Sequence, residues 1–499
     1  MKGRNVEGAR RPESYDLAVI GSGAAAFAAA IAATRLGLAV VMVERGVVGG
    51  TCVNVGCVPS KALLAAAESR HQATEHRFAG ISTHAGPTRF GELLAAKDAL
   101  VQQMRTDKYV DLAAEQGWEI VAGTGRFTKG PALEVSLPGG GSRRIEAAQY
   151  LVATGASPRV PPVEGLEESG YLTSTTAMEL DHLPESLLVI GGSYIGLEQA
   201  QLFSRLGTKV TIVESMERLA AAEEPEVDQT LRQVLADEGV TVLTGTTVTK
   251  VERSGSGLVA TLGTAKESGP LRTAQASRTP GTPEASRTLT ASEVLVATGL
   301  RPSSEGLGLD AVGVETGGRG EVVVDDQLRT ANGRIWGAGD VTGHPQFVYV
   351  AAAQGALVVD NAFGGMSRAL DYSNLPRVMF TSPNVAAVGL TDAQAQAEGI
   401  DCECRVLALE HLPRAIVNRD ERGFVKVVAE RATGRVLGVT VVAHNAGESI
   451  LSAVYAIRAE MTVEDLASTW APYLTMAEGI KLAAQTFTRD VAKLSCCAA

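Results

Sequence analysis

Cysteine is scarce in this chain, six residues in 499, which excludes a disulfide-stapled secreted scaffold. Thiols used so sparingly serve catalysis or metals more often than structure. Long uncharged apolar runs are missing as well: the strongest, GAAAFAAAIAATRLGLAV, is Ala-rich and meets Arg35 too early to span a bilayer. The opening MKGRNVEGARRPES carries charge but no apolar core, so it shows no secretory signal, and residues 1–14 are expected to form a disordered tail. Basic charge is in deficit, 45 Lys and Arg against 56 Asp and Glu for a net charge of −11, which argues against a nucleic-acid or anionic-membrane surface. The cytoplasm is therefore the expected compartment. What the chain does have is 45% hydrophobic and 20% charged residues, enough for roughly two to four domain cores.

From Tyr15 the order is apolar strand (YDLAVI), glycine turn and helix (GSGAAAFAAAIAATRLG), then a second apolar strand (AVVMVER), the opening of a parallel α/β sheet. The same order returns at SLLVI, GGSYIGLEQAQLFSRLG and KVTIVE, which predicts a second unit of the same kind. An apolar strand running into Ala-Thr-Gly also occurs twice, in YLVATGASPRV and VLVATGLRPSS, each placed to close one unit. The stretch 253–290 is rich in Ser, Thr, Gly, Ala and Pro and reads mostly as a solvated loop. Beyond DYSNLPRVMFTSPNVAAVGLT the pattern changes to alternating strands followed by a helix, a separate α+β domain. The expected division is 15–160 with 295–370, then 161–294, then 371–499.

GSGAAA after a strand is the GxGxxA form of the dinucleotide fingerprint. Gly21 makes the tight turn, Gly23 admits a pyrophosphate to the backbone, and Ala26 allows close helix packing, with phosphates held on the helix N-terminus. Glu44, at the end of the second strand, is placed to accept hydrogen bonds from a ribose diol. The second turn has Gly191 and Gly196 but carries Ser193 in the middle, and Glu214 closes its second strand. An acid there favours NADH, while Arg218 nearby leaves NADPH open. In GGTCVNVGCVPSKALL, four residues separate Cys52 from Cys57, and Pro59 helps to start a helix whose amides and dipole favour a thiolate. Two thiols close enough to bridge, one with its negative charge stabilised, form a redox couple; a packed pair of buried cysteines is the alternative.

Two further pairs remain. Cys496 and Cys497 are adjacent, so their Cα atoms lie about 3.8 Å apart, short of the roughly 4.4 to 6.8 Å of a relaxed disulfide. They are better read as soft-metal donors on a chain end. Cys402 and Cys404 in DCECRV alternate on an expected strand and share one face, which suits either incidental packing or a metal.

GGTCVNVGCVPSK, the fingerprint before it, ATG twice and GAGD at 337–340 together resemble the pyridine nucleotide-disulfide oxidoreductases, flavoproteins of glutathione reductase-like architecture whose last domain dimerises. The resemblance runs in order over nearly all of the chain from Tyr15. It implies that the first unit binds FAD through Gly21, Gly23, Ala26, Glu44, Gly50, Thr51, Thr154, Gly155 and Gly339, with Asp340 on the ribityl chain and Lys61 beside the flavin, paired with Glu198. The second unit, with Gly191, Gly196, Glu214 and Gly299, would take NADH or NADPH. Cys57 would face the flavin and Cys52 would be the outer, interchange thiol.

Members that reduce organic disulfides carry near the carboxyl end a His, paired with a Glu, that protonates the leaving thiolate. Here WAPYLTMAEG keeps Glu478 but has Tyr473 where that His belongs. PYLTMAEGIKLAAQTFTRDVAKLSCCAA is similar instead to the end of the family members that reduce mercuric ion. There the terminal pair of one subunit passes Hg(II) to the redox pair of the other, so the resemblance implies a homodimer with shared sites. Cys52, Cys57, Cys496, Cys497 and Tyr473 would then handle the metal, and Tyr194 would line the inner site or gate the nicotinamide. Many such proteins also have a metal-binding domain with Cys-x-x-Cys near the start, and residues 1–14 hold no cysteine. A disulfide reductase that has lost its His, or a thiol flavoprotein that binds metal without turnover, are the competing readings.

Overall fold

The structure is a computed structural model that describes residues 15–255, 257–264 and 287–490. Its chain forms two compact units: the residues up to Ser60 with Leu94–Arg159 and Gly299–Leu370, and Lys61–Leu93 with Val160–Thr298 and the residues from Asp371 on.

In the first unit Tyr15–Ile20 pairs in parallel with Val40–Glu44 and with Ala147–Val152, and Glu119–Ala122 and Ile335–Gly337 complete five parallel strands. Parallel strands need crossover connections, which cover both faces of the sheet. Leu17, Val19, Met42 and Leu151 accordingly pack with Ala26 and Phe27 of the helix Ala24–Arg35 and with Val358 of the helix Val348–Phe363. Ala18, Ile20, Val41, Val43 and Val152 pack on the opposite side with Phe127, Leu133 and Val135. The last three belong to a three-stranded antiparallel sheet, Thr124–Thr128, Ala132–Ser136 and Ser142–Ile145. With both faces buried, these strands read as unbroken apolar runs.

The second unit repeats the plan with four parallel strands, Thr241–Leu243, Lys209–Val213, Ser186–Ile190 and Glu293–Val296. Beside them Thr246–Ser254, Gly257–Thr264 and Arg287–Ala291 form an antiparallel sheet. Within the loop expected over 253–290, residues 257–264 and 287–290 are strand instead. Leu258 and Ala260 face a core that also holds Val248 and Val251, an alternation too short and too rich in Gly and Thr to read as a strand. Residues 265–286 lie outside the described residues, as do 1–14. The remainder of this unit is a five-stranded antiparallel sheet ordered Arg377–Met379, Asn384–Gly389, Val436–Ala443, Phe424–Glu430 and Cys402–Ala408. Its core includes Val425, Val427, Val439 and Val441 with Ile450 of the helix Ala446–Arg458.

Compactness divides the chain differently from the sequence-based limits at 160/161 and 370/371. The helix Cys57–Thr74 sends Arg70 to the backbone oxygen of Arg205 at 2.6 Å, and Phe90 packs at 6.5 Å from Phe203. Lys426, on the last sheet, bonds Glu224 at 2.8 Å and Glu226 at 3.0 Å. Lys426 and Glu224 are buried, so each needs the other. These contacts, all between residues remote in sequence, make one unit of 61–93, 160–298 and the final domain.

Candidate active site

Gly21 leaves the first strand with φ +108°, where a Cβ would come within 2.3 Å of the Ala153 oxygen; only glycine fits. Its N–H donates to Val43 O at 2.8 Å, and Ala153 N donates to Ile20 O at 2.9 Å, so the turn is stitched to three strands. Gly23 caps the helix Ala24–Arg35, and Ala26 is fully buried behind it. At the next strand end, Glu44 accepts from Ser22 Oγ at 2.6 Å and from Gly46 N at 2.7 Å. Four carboxylate lone pairs leave room for a sugar hydroxyl as well.

Ser22 also accepts from Gly49 N at 3.1 Å, which ties the turn to the segment that carries the thiols. Gly50 approaches so closely that its Cβ would lie 2.5 Å from Gly23 Cα. It opens the short helix Gly50–Asn54, in which Thr51 is exposed and Cys52 half-buried. Asn54 staples the segment by donating to Val48 O at 3.0 Å and Gly50 O at 2.9 Å, while Arg105 donates to Asn54 Oδ1 at 3.2 Å. Cys57 is exposed and is the first residue of an 18-residue helix, whose N-terminal amides and dipole favour negative charge there. Tyr109 sits in a π-turn, its ring 3.4 Å from a Cβ built on Gly49 and 4.8 Å from Phe27, edge-on. Burial first, then the charges of Cys52 and Cys57, raise its pKa, so it lies within electrostatic reach of both sulfurs.

The frame continues at Thr154, whose Oγ1 donates to Ser303 O at 2.7 Å, and at Gly155, whose oxygen accepts from Ser303 N at 2.9 Å. Gly299 accepts from Arg159 N at 2.9 Å. Gly339 N–H donates at 2.7 Å to Gln354, which is fully buried. Next to it Asp340 begins a 3₁₀ turn, and burial pushes its carboxyl up from the usual range. A desolvated carboxylate beside two glycine-rich turns fits a polyhydroxylated chain whose O–H groups can offset the burial. The first unit thus fits a flavin dinucleotide on its own geometry.

In the second unit Gly191 repeats the turn of Gly21, with φ +117° and a Cβ 2.4 Å from Ala297 O. A Cβ on Gly196 would meet Gly191 O at 2.0 Å, so the third position is as closely packed as at Ala26. Glu214 accepts from Gly192 N at 2.6 Å and Met216 N at 2.7 Å. Tyr194, the first residue of the helix Tyr194–Leu206, donates to Glu223 Oε1 at 2.5 Å. Burial, then the charge of Glu223, raises its pKa, keeping the phenol protonated. In the same unit Lys61 Nζ donates to Glu198 Oε2 at 2.6 Å and lies 4.7 Å over the ring of Phe380, whose N–H donates to Glu198 Oε1 at 2.9 Å.

Near the carboxyl end Tyr473 is 49% exposed, while Glu478 is 7% exposed and accepts from Leu474 N at 3.2 Å. Cys402 Sγ donates to Asp392 Oδ1 at 3.3 Å; Cys402 and Cys404 pack on one apolar cluster, and burial raises both thiols. Among the described residues no group of three or more ligand side chains is gathered for a metal. Cys496 and Cys497 lie outside the described residues. Ser22, Asn54, Arg105, Tyr109, Glu223, Arg377 and Phe380 escaped sequence reasoning. Ser22 and Asn54 stand inside quoted motifs and could have been weighed; the others have no local signal.

Two glycine-led turns, one in each unit, and a pair of cysteines in the first unit define a class that the comparisons make explicit. The chain matches the model described as "Pyridine nucleotide-disulphide oxidoreductase" over residues 15–355 and the dimerisation domain of that name over 375–484, and it belongs to this family. Within the family it is similar to mercuric reductase from Streptomyces lividans, 58% identical over 97% of this chain and 98% of the relative. Mercuric reductase from Lysinibacillus sphaericus is 45% identical over 97% of this chain and 85% of that one. Among solved structures, the Cu(II) complex of the HOCl-induced flavoprotein disulfide reductase RclA from Escherichia coli superposes with a TM-score of 0.82 at 26% identity, covering 96% of this chain and 100% of that one. The α/β architecture with a final dimerisation domain is that of the family. In that domain Leu451, Tyr455 and Trp470 are exposed, Trp470 at 98%. No helix among the described residues is long and apolar enough to cross a membrane.

Proposed function

We propose that this chain reduces Hg(II) to elemental mercury, with a nicotinamide nucleotide as the electron donor: NAD(P)H + Hg(II) → NAD(P)⁺ + H⁺ + Hg(0). The observation that carries this reading is Tyr473, a phenol where a disulfide-reducing relative would need an imidazole, on a chain whose near full-length relatives are mercuric reductases. Expelling a thiol from a disulfide calls for an acid of near-neutral pKa; receiving a metal between sulfurs does not.

Cys496 and Cys497 of the partner subunit would deliver Hg(II) to Cys52, the outer thiol, and Cys57, the inner one. Two-coordinate mercury leaves a thiolate only when another attacks, so each transfer needs a neighbouring pair. Tyr473 would line the inner metal site as a hydrogen-bonding or weakly ligating phenol. Gly21, Gly23, Ala26, Glu44, Gly50, Thr51, Thr154, Gly155, Gly339 and Asp340 would hold FAD, with the Lys61–Glu198 pair beside it. FAD, when bound, supplies the two-electron relay between nicotinamide and metal. The coenzyme would lie on Gly191 and Gly196; Gly299, expected with them from the sequence, belongs to the first unit. Glu214 puts negative charge at its ribose end, which favours NADH; Arg218, which donates to Ala221 O at 3.2 Å, is the group that NADPH would recruit. The working form would be a homodimer in the cytoplasm, where reduced nucleotides and small-thiol complexes of Hg(II) are at hand.

The test is substrate choice. Purified flavoprotein is expected to oxidise NAD(P)H with Hg(II) in excess thiol and to be nearly inert with lipoamide or glutathione disulfide. Rapid oxidation with a disulfide and none with Hg(II) would assign it to the disulfide reductases; stoichiometric Hg(II) uptake without turnover would make it a binding protein.

A further inference from the structure

The final sheet holds a second thiol pair that no step of the proposed reaction uses. Cys402 and Cys404 lie on the strand Cys402–Ala408, the last of its sheet, which pairs with Phe424–Glu430. Leu407 of that strand joins the core that holds Val425 and Val427, so by strand alternation the two thiols face the other side. There they pack with Val428 and Ile400 in a small apolar cluster, half-buried rather than sealed. Cys402 Sγ donates at 3.3 Å to Asp392 Oδ1, at the start of the helix Asp392–Ala397. Burial raises both thiols, so both stand protonated.

Two residues of antiparallel strand span about 6.8 Å, whereas a disulfide brings its Cβ atoms to roughly 3.5–4.5 Å. The pair is therefore not a redox couple. A linear sulfur–metal–sulfur bridge, with bonds of about 2.3 Å like those of a zinc thiolate, spans about 4.6 Å between sulfurs, and rotation about χ1 brings the two sulfurs that close. Structural zinc asks for four ligands, and among the described residues no group of three or more ligand side chains gathers; two sulfurs alone suit a two-coordinate thiophilic ion. We propose that Cys402 and Cys404 form a holding site for such an ion, Hg(II) taken from its small-thiol complex, in addition to the redox pair. This does not rest on the chain being a reductase. Loading is ligand exchange: two metal–sulfur bonds form as two break, each protein thiol gives its proton to the small thiolate it displaces, and no electron moves. A lone protein thiol competes with excess small thiol on equal terms. Two on one strand gain because the second bond closes within the protein.

The test uses the flavin-loaded protein without NAD(P)H, exposed to the bis-glutathione complex of Hg(II) in excess glutathione, and counts the metal retained per chain after gel filtration. Wild type is expected to retain one ion more than Cys402→Ala, Cys404→Ala or the double variant, which should be alike. Protein with Cys52, Cys57, Cys496 and Cys497 all replaced by Ala is expected to keep one ion and to lose it when Cys404→Ala is added. A second measurement needs no variant: in loaded wild-type protein Cys402 and Cys404 are expected to be shielded together from N-ethylmaleimide, read by peptide mass. Equal retention by the double variant, retention of the extra ion by either single one, or alkylation of both thiols in loaded protein would overturn the site. Turnover of Hg(II) is expected to be unchanged in the double variant; a fall would overturn the holding role by putting the pair in the relay. A chain that loads this strand but never reduces Hg(II) would count against the proposed function and leave the site standing.

Discussion

Gly21 and Gly191 turn their chains alike, and the two turns are stitched alike: Gly21 N to Val43 O at 2.8 Å against Gly191 N to Val213 O at 2.9 Å, and Gly46 N to Glu44 against Met216 N to Glu214, both at 2.7 Å. They differ in what the next residues reach. In the first, Ser22 bridges Glu44 to Gly49, and Gly23 lies against Gly50, so the turn is wired to the thiol segment. In the second, the position of Ser22 is taken by Gly192, whose N–H serves Glu214 directly, and Tyr194 leads away to Glu223. One backbone device, used twice, thus ties into the thiol segment in one unit and leads to a buried carboxylate in the other.

The comparison breaks most severely at its glycines. Gly21→Ala drives a Cβ into Ala153 O and is expected to give colourless protein without flavin, read from visible absorbance. Gly191→Ala, equally strained, is expected to leave the protein yellow and reducible by dithionite while abolishing reduction by NAD(P)H. If both variants lose flavin, or both keep NAD(P)H reduction, the two turns do not have separate cargoes. Next in size, Cys57→Ser is expected to abolish the long-wavelength thiolate-to-flavin absorbance on two-electron reduction and to cut Hg(II) turnover on the order of a thousandfold, whereas Cys52→Ser keeps the band. The reverse pattern would exchange the inner and outer assignments.

Replacing both Cys496 and Cys497 by Ala is expected to slow turnover of thiol-complexed Hg(II) by roughly tenfold or more while leaving flavin reduction by NAD(P)H intact, since in the proposed mechanism the pair acts only on the metal half of the reaction. Equal turnover would remove the tail from the mechanism. The smallest effect falls on the wiring itself: Ser22→Ala removes one bridge worth about 1 kcal/mol and is expected to weaken flavin binding roughly fivefold. No change in the flavin dissociation constant would mean that the bridge to Gly49 is incidental.

Both turns were legible in the sequence because positive φ and a Cβ-free approach leave few residues to choose from, and the thiol pair because its spacing stands in a glycine-rich frame. Tyr473 was legible as a substitution against an expected His. The strand Gly257–Thr264 was hidden by small polar residues. The Tyr194–Glu223–Arg377 cluster could not be read at all, because Glu223 and Arg377 come together only through the packing of the final sheet, and Tyr109 meets Gly49 and Phe27 through a π-turn that no periodicity announces. The grouping of 61–93 with the second unit has the same origin in long-range contacts.

The most direct measurement is a closed, anaerobic reaction of the flavoprotein with limiting NAD(P)H and Hg(II) in excess small thiol, with vapour and nucleotide counted together. One atom of elemental mercury released per nucleotide oxidised is the predicted result. Nucleotide oxidised without vapour, or mercury held on the protein without oxidation, would contradict it.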